Sequence, residues 1–137
     1  MNKIFYTLVI LLITNTIFAQ GKIELTVNNV IIDGGDIRIA IYNNDDSFLK
    51  TPFKVAIIKP NSKVVNIVIP NLPEGVYAIS LYQDENTNED LDMGMFGPKE
   101  PYGFSNNAKG KFGPAKFADA KFEVTSNSVS KQNISLN

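Results

Sequence analysis

Ile23-Glu24-Leu25-Thr26-Val27-Asn28 decides the fold class of this chain. Ile23, Leu25 and Val27 fall on one side of an extended backbone, and Glu24, Thr26 and Asn28 on the other. This period of two marks a strand with one buried face. The same alternation recurs in Ile37/Ile39/Ile41, Phe53/Val55/Ile57, Val65/Ile67/Ile69 and Tyr77/Ile79/Leu81, and more weakly at 117–124 and 129–136. Turn-forming clusters separate the runs: Asp33-Gly34-Gly35-Asp36, read as an ordinary hairpin turn, Asn43-Asn44-Asp45-Asp46, Lys59-Pro60-Asn61-Ser62 and Pro73-Glu74-Gly75. About seven short strands punctuated in this way predict an all-β chain. The expected fold is a single antiparallel β-sandwich, Ig-like or of the transthyretin/carboxypeptidase-regulatory kind. Ser47-Phe48-Leu49-Lys50 has room for one helical turn before Pro52. At 93–114 the alternation stops, and a Gly-, Pro- and Asn-rich stretch predicts one long loop, with Phe96, Tyr102, Phe104 and Phe112 expected to pack it into order.

The N-terminus reads differently. Met1-Asn2-Lys3 precedes an apolar run from Ile4 to Ile13, and Ala19 supplies a small residue for cleavage. That is the layout of a secretory signal peptide over 1–19, leaving a β-sandwich domain over 20–137. The apolar core is shorter than the roughly 20 residues a membrane span needs, so no transmembrane span is expected after cleavage. With no Cys after the apolar core, a lipid-modified N-terminus of the bacterial lipoprotein type is not expected. The expected location is the periplasm, the outer membrane or the extracellular medium. A formal charge of −1 gives no basic face for nucleic acid. The absence of His and Cys removes His-dependent triads and the usual zinc sites.

Asp84-Glu85-Asn86-Thr87-Asn88-Glu89-Asp90-Leu91-Asp92 is the segment with chemistry. Asp84, Asn86 and Asn88 recur at every second position, Asp90 follows with a backbone carbonyl, and Asp92 with a carboxylate. This is the spacing with which a short loop offers oxygens to Ca²⁺. Its five carboxylates have no Lys or Arg among them, and a divalent ion would relieve their repulsion. An EF-hand does not fit, because Glu89 replaces the usual Gly and Met95 stands where the closing Glu belongs. The loop therefore needs completion from elsewhere, and Glu100 is the candidate. The alternative is a solvated acidic turn.

Two further stretches flank that loop: Leu72-Pro73-Glu74-Gly75-Val76-Tyr77-Ala78 before it, and Phe96-Gly97-Pro98-Lys99-Glu100-Pro101-Tyr102-Gly103-Phe104-Ser105-Asn106-Asn107 after it. Together they resemble the exported bacterial domain-of-unknown-function family two-one-four-one. Its pattern runs L-P-x-G-x-Y-A, then D-x-N-x-N-G-x-x-D, then G-x-P-x-E-x-Y-G-F-S-N-N. Glu89 departs from it where the family favours Gly. The resemblance implies an exported β-sandwich and no assigned activity. Within these motifs, Tyr77 is read either as a core aromatic or as a tyrosine corner that bonds back with its hydroxyl. The 102–107 stretch is read as pinning the long loop, or as a surface for a sugar or peptide.

The expectation is a non-catalytic, calcium-stabilised module with a binding or accessory role at the cell envelope, its ligand a carbohydrate or a protein. The alternatives are a carboxylate-dependent hydrolase using Asp84, Asp92 and Glu100, and a structural subunit assembling through a sheet edge.

Overall fold

A computed structural model describes residues 19–137; the signal-peptide reading of 1–19 lies almost wholly outside the described residues. The chain is an all-β sandwich. Its strands are β1 (Gly21–Asn28), β2 (Asp36–Tyr42), β3 (Lys54–Ile58), β4 (Val65–Leu72), β5 (Gly75–Asp84), β6 (Met93–Gly94), β7 (Gly97–Pro98), β8 (Tyr102–Phe104), β9 (Phe122–Val124) and β10 (Val129–Ser135). A 3-10 turn at Ser105–Asn107 and a four-residue helix, α1 (Phe117–Ala120), complete the elements. None of the described helices is long and apolar enough to cross a membrane.

One sheet runs β10-β1-β4 and the other β3-β2-β5-β8, with β9 pairing the start of β5. Most pairings are antiparallel, as expected, but β1 and β10 run parallel, from Lys22 opposite Val129 to Asn28 opposite Ser135. The residues 33–36 turn is not a hairpin: it carries the chain from β1 in one sheet to β2 in the other. The alternating residues of β1 and β2 meet across the gap, where Ile23, Leu25, Val27, Ile37, Ile39 and Ile41 are essentially fully buried. Burying each such side chain contributes about 1.5–3 kcal/mol.

A second, smaller core covers the outer face of the β3-β2-β5-β8 sheet. Tyr42, Phe48 and Ala78 pack there against Phe104, Ala115 and Ala120. Phe48 meets Tyr42 edge-on at 5.2 Å and Phe117 at 5.7 Å between ring centroids. The segment carrying Phe48 forms a turn, with Asn44 accepting the Ser47 N–H at 2.8 Å, but Leu49 at φ 59° keeps it from being the expected helical turn. Around 117–120 the weak alternation does not become strand. It forms α1 instead, because Ala120 is drawn inward beneath Ser105.

The 93–114 stretch is more ordered than a loop. β6 and β7 form a small hairpin, and β8 pairs with β5 from Ser80–Phe104 to Tyr82–Tyr102. Strands of two or three residues are too short to show a period in sequence. Tyr102 and Phe104 pack, whereas Phe96 and Phe112 are fully exposed, which corrects their expected role. Tyr77 fulfils both of its readings. Its ring is buried in the main core, and its hydroxyl donates to the Pro73 carbonyl at 2.6 Å, holding the corner at which β5 begins.

Candidate functional site

The acidic loop leaves β5 at Asp84, opposite Asp36 of β2. Asp84 is fully buried, and three donors surround its carboxylate. Oδ2 accepts from Arg38 Nε at 3.0 Å and from the Glu89 N–H at 2.9 Å, and Oδ1 accepts from the Asn88 N–H at 3.2 Å. Arg38 Nη2 also lies 3.2 Å from Glu89 Oε1. Arg38 is the only arginine of the chain. The fork geometry of its guanidinium lets it serve two carboxylates at once.

Glu100, also buried, closes the other side of the loop. Its two oxygens accept the Glu85 N–H at 2.9 Å and the Asp92 N–H at 3.0 Å. Donation from Gln83 N to the Pro101 carbonyl, and from Lys99 N to the Asp92 carbonyl, continues the closure. Two buried carboxylates thus bind the backbone of both arms, satisfying amides that would otherwise be orphaned.

The rim of the loop is built from short side chains. Asn86 Oδ1 accepts the Asn88 N–H, and Asn88 Oδ1 accepts the Asp90 N–H at 3.0 Å. The amides of Asn86 and Asn88 both donate to the Asp92 carboxylate. Thr87 and Glu89 adopt positive φ, 59° and 68°. Glu89 therefore takes the left-handed geometry that a Gly would adopt without steric cost. Tyr82 ties this corner to β5 by donating its hydroxyl to the Glu89 carbonyl at 2.8 Å.

The residues expected to form the site are therefore brought together. Asp84, Asn86, Asn88, Asp92 and Glu100 share one loop, while Asp90 contributes its backbone N–H and stays exposed. Their division of labour differs from the expectation. Asp84 and Glu100 serve the backbone and Arg38, leaving Asn86, Asn88 and Asp92 on the rim. Among the described residues, no three Asp, Glu, His or Cys side chains converge as a ready-made metal cage. The Asn86 and Asn88 oxygens accept backbone N–H groups and their amide nitrogens bind Asp92, so a cation held by Asn86, Asn88 and Asp92 would have to replace those bonds.

Sequence reasoning did not find Arg38 or Gln83. Gln83 is fully buried and clamps the 31–35 turn: its Nε2 donates to the Ile31 and Gly35 carbonyls, and its Oε1 accepts the Ile31 N–H at 3.0 Å. Gly35, at φ 91°, lies so close that an added Cβ would sit 1.8 Å from the Asp84 carbonyl oxygen. The base of the acidic loop is thus built against the β1–β2 crossover.

Asp84 sets an acid limit on the fold. Burial pushes its carboxyl pKa up, but the Glu89 N–H, the Arg38 guanidinium and the Asn88 N–H outweigh this and hold it below the ordinary range. A carboxyl lowered in the folded state contributes stability that is present above its unfolded value of about 3.9 and lost as pH falls through the folded value. Urea unfolding followed from neutral pH down to about pH 2 should show a steep loss in that window. Asp84→Asn should flatten the loss; an unchanged slope would remove Asp84 from the acid response.

The 102–107 motif is used for structure along its whole length. Ser105 is fully buried: its hydroxyl accepts the Ile79 N–H at 2.9 Å and donates to the Ala120 carbonyl. Asn106, at φ 59°, donates to the Asp119 and Lys121 carbonyls. Asn107 exchanges bonds with β10, donating to the Asn133 carbonyl and accepting the Ser135 N–H. Each side chain of Ser-Asn-Asn thus joins segments distant in sequence.

Fold and site together define an all-β sandwich with a closed acidic loop at one end of its larger sheet. The chain belongs to the family described as an uncharacterized protein conserved in bacteria (DUF2141), which matches residues 25–132. No curated protein and no solved structure matches it.

Proposed function

We propose that this chain is an exported, non-catalytic module of the cell envelope, with a binding or accessory role toward a protein or carbohydrate, and that its 84–92 loop takes Ca²⁺. The observation that carries the calcium reading is the rim. Asn86, Asn88 and Asp92 are drawn onto one another, while the backbone beneath them is fixed by Asp84 and Glu100. Five carboxylates occupy this segment, and Arg38 is the one cation paired with them among the described residues. A divalent ion at the rim offsets the remaining repulsion and locks the loop.

The non-catalytic reading is supported by the direction of the Asp84 shift. A carboxyl acting as general acid needs a raised pKa, and burial here is overridden by donors. Export is supported by the basic-apolar-small order of residues 1–19.

An ion that binds only the folded loop raises unfolding free energy by RT ln(1 + [Ca²⁺]/Kd), about 2.7 kcal/mol at a hundredfold excess over Kd. The melting temperature should climb with calcium and drop with chelator, while Mg²⁺ does less because its geometry is stricter. Asp92→Ala should abolish the response, whereas Asp46→Ala, in the separate turn before Ser47, should leave it intact. Titration calorimetry without saturable calcium binding up to the millimolar affinities of extracellular modules would sink the calcium reading.

A further inference from the structure

The flank formed by β3 and β4 differs from the rest of the surface. Residues 47–73 contain Lys50, Lys54, Lys59 and Lys63 and no Asp or Glu. None of these lysines is within ion-pair distance of a carboxylate among the described residues. Here the alternation is also inverted: Ala56 and Ile58 face the core, while Val55 and Ile57 are 57% and 51% exposed.

β3 is the terminal strand of its sheet, so one side of its backbone has no strand partner among the described residues. Natural edges are usually blunted by charged side chains, lysine above all, by proline, by inward charge or by cover. The neighbouring edge β4 is blunted in this way: Pro70 has no N–H, and its carbonyl accepts Lys54 Nζ at 2.9 Å. β3 has prolines only outside it, at Pro52 and Pro60, and its one charged residue, Lys54, is turned to the Pro70 carbonyl, which leaves the Val55–Ile58 stretch open.

We propose that β3 is a docking edge for an extended segment of a partner protein that alternates apolar and acidic residues and adds a further strand to the sheet. The open backbone calls for a strand, and the outward Val55 and Ile57 call for apolar side chains at every second position. Lys50, Lys59 and Lys63, with no carboxylate partner among the described residues, call for acid between them. A second copy of this chain does not meet that demand. Joining two β3 edges brings two lysine flanks together with no carboxylate among them, and like charges across paired strands repel. This inference is independent of the calcium reading and fails or stands separately from it.

The test uses the purified protein and a capped peptide alternating Glu and Val over about seven residues, a typical strand length. Saturable binding is expected, with amide shifts centred on Lys54–Ile58 and affinity falling as salt rises. Ile57→Glu should weaken binding at least about tenfold through like-charge repulsion. Lys59→Glu combined with Lys63→Glu should do the same, while Lys109→Glu should change nothing. Equal binding of a Lys-Val peptide, or shifts elsewhere in the protein, overturns the proposal. Binding to phosphatidylserine vesicles with none to the Glu-Val peptide makes the flank a membrane face and also overturns it. So does a dimer, measured by light scattering, that Ile57→Glu dissolves.

Discussion

Phe104→Ala is expected to cost about 3–5 kcal/mol, the range for removing a buried Phe ring. The ring is only 7% exposed and anchors the outer core, 6.0 Å from the Tyr102 ring and 6.3 Å from that of Phe48. Its strand pairs with β5 at Ser80, and the next residue, Ser105, bonds β5 again through Ile79. Removing the ring therefore opens a cavity at the point where the 105–120 cover is stitched to the sheet. Chemical denaturation of the variant measures the loss directly. A change well under about 1 kcal/mol would mean that the cover is held without the ring.

Gln83→Ala should be nearly as damaging, about 2–4 kcal/mol, because two kinds of loss coincide. The amide leaves a hole in the core, and the Ile31 N–H and the Ile31 and Gly35 carbonyls lose their partner. These groups lie beside the base of the acidic loop, so hydrogen exchange should quicken at 31–35 and at 84–89 together. Gln83→Glu provides a sharper comparison. It can still accept the Ile31 N–H but cannot donate to either carbonyl, and it buries a charge. A Gln83→Ala protein as stable as the parent would show that water replaces the clamp.

How much of this was legible in the sequence varied by element. β1, β2, β4 and β5 were readable because each buries one set of alternate residues. In β3 the period was readable but the side was not, since nothing local distinguishes an apolar face turned inward from one turned outward. β6, β7 and β8 carried too few residues to show any period. The acidic loop was legible as a loop from its spacing, whereas Glu100, expected to complete an ion site, accepts two backbone N–H groups, a role that no spacing signals. Arg38 and Gln83 were not legible, because their partners lie 46 and up to 52 residues away and only the fold brings them together. A lone arginine within an alternating strand was the one available hint.

The parallel pairing of β1 and β10 bears on how the chain reaches its native state. Partners such as Asn28 and Asn133 are 105 residues apart, so this seam closes across nearly the whole polypeptide. Loop-closure entropy must be met before those contacts form, which places the chain among slow, non-local folders. During synthesis β1 holds one side unpaired until β10 is released. The sandwich can therefore close only once β10 has left the ribosome, and until that moment β1 presents one open edge to any other strand.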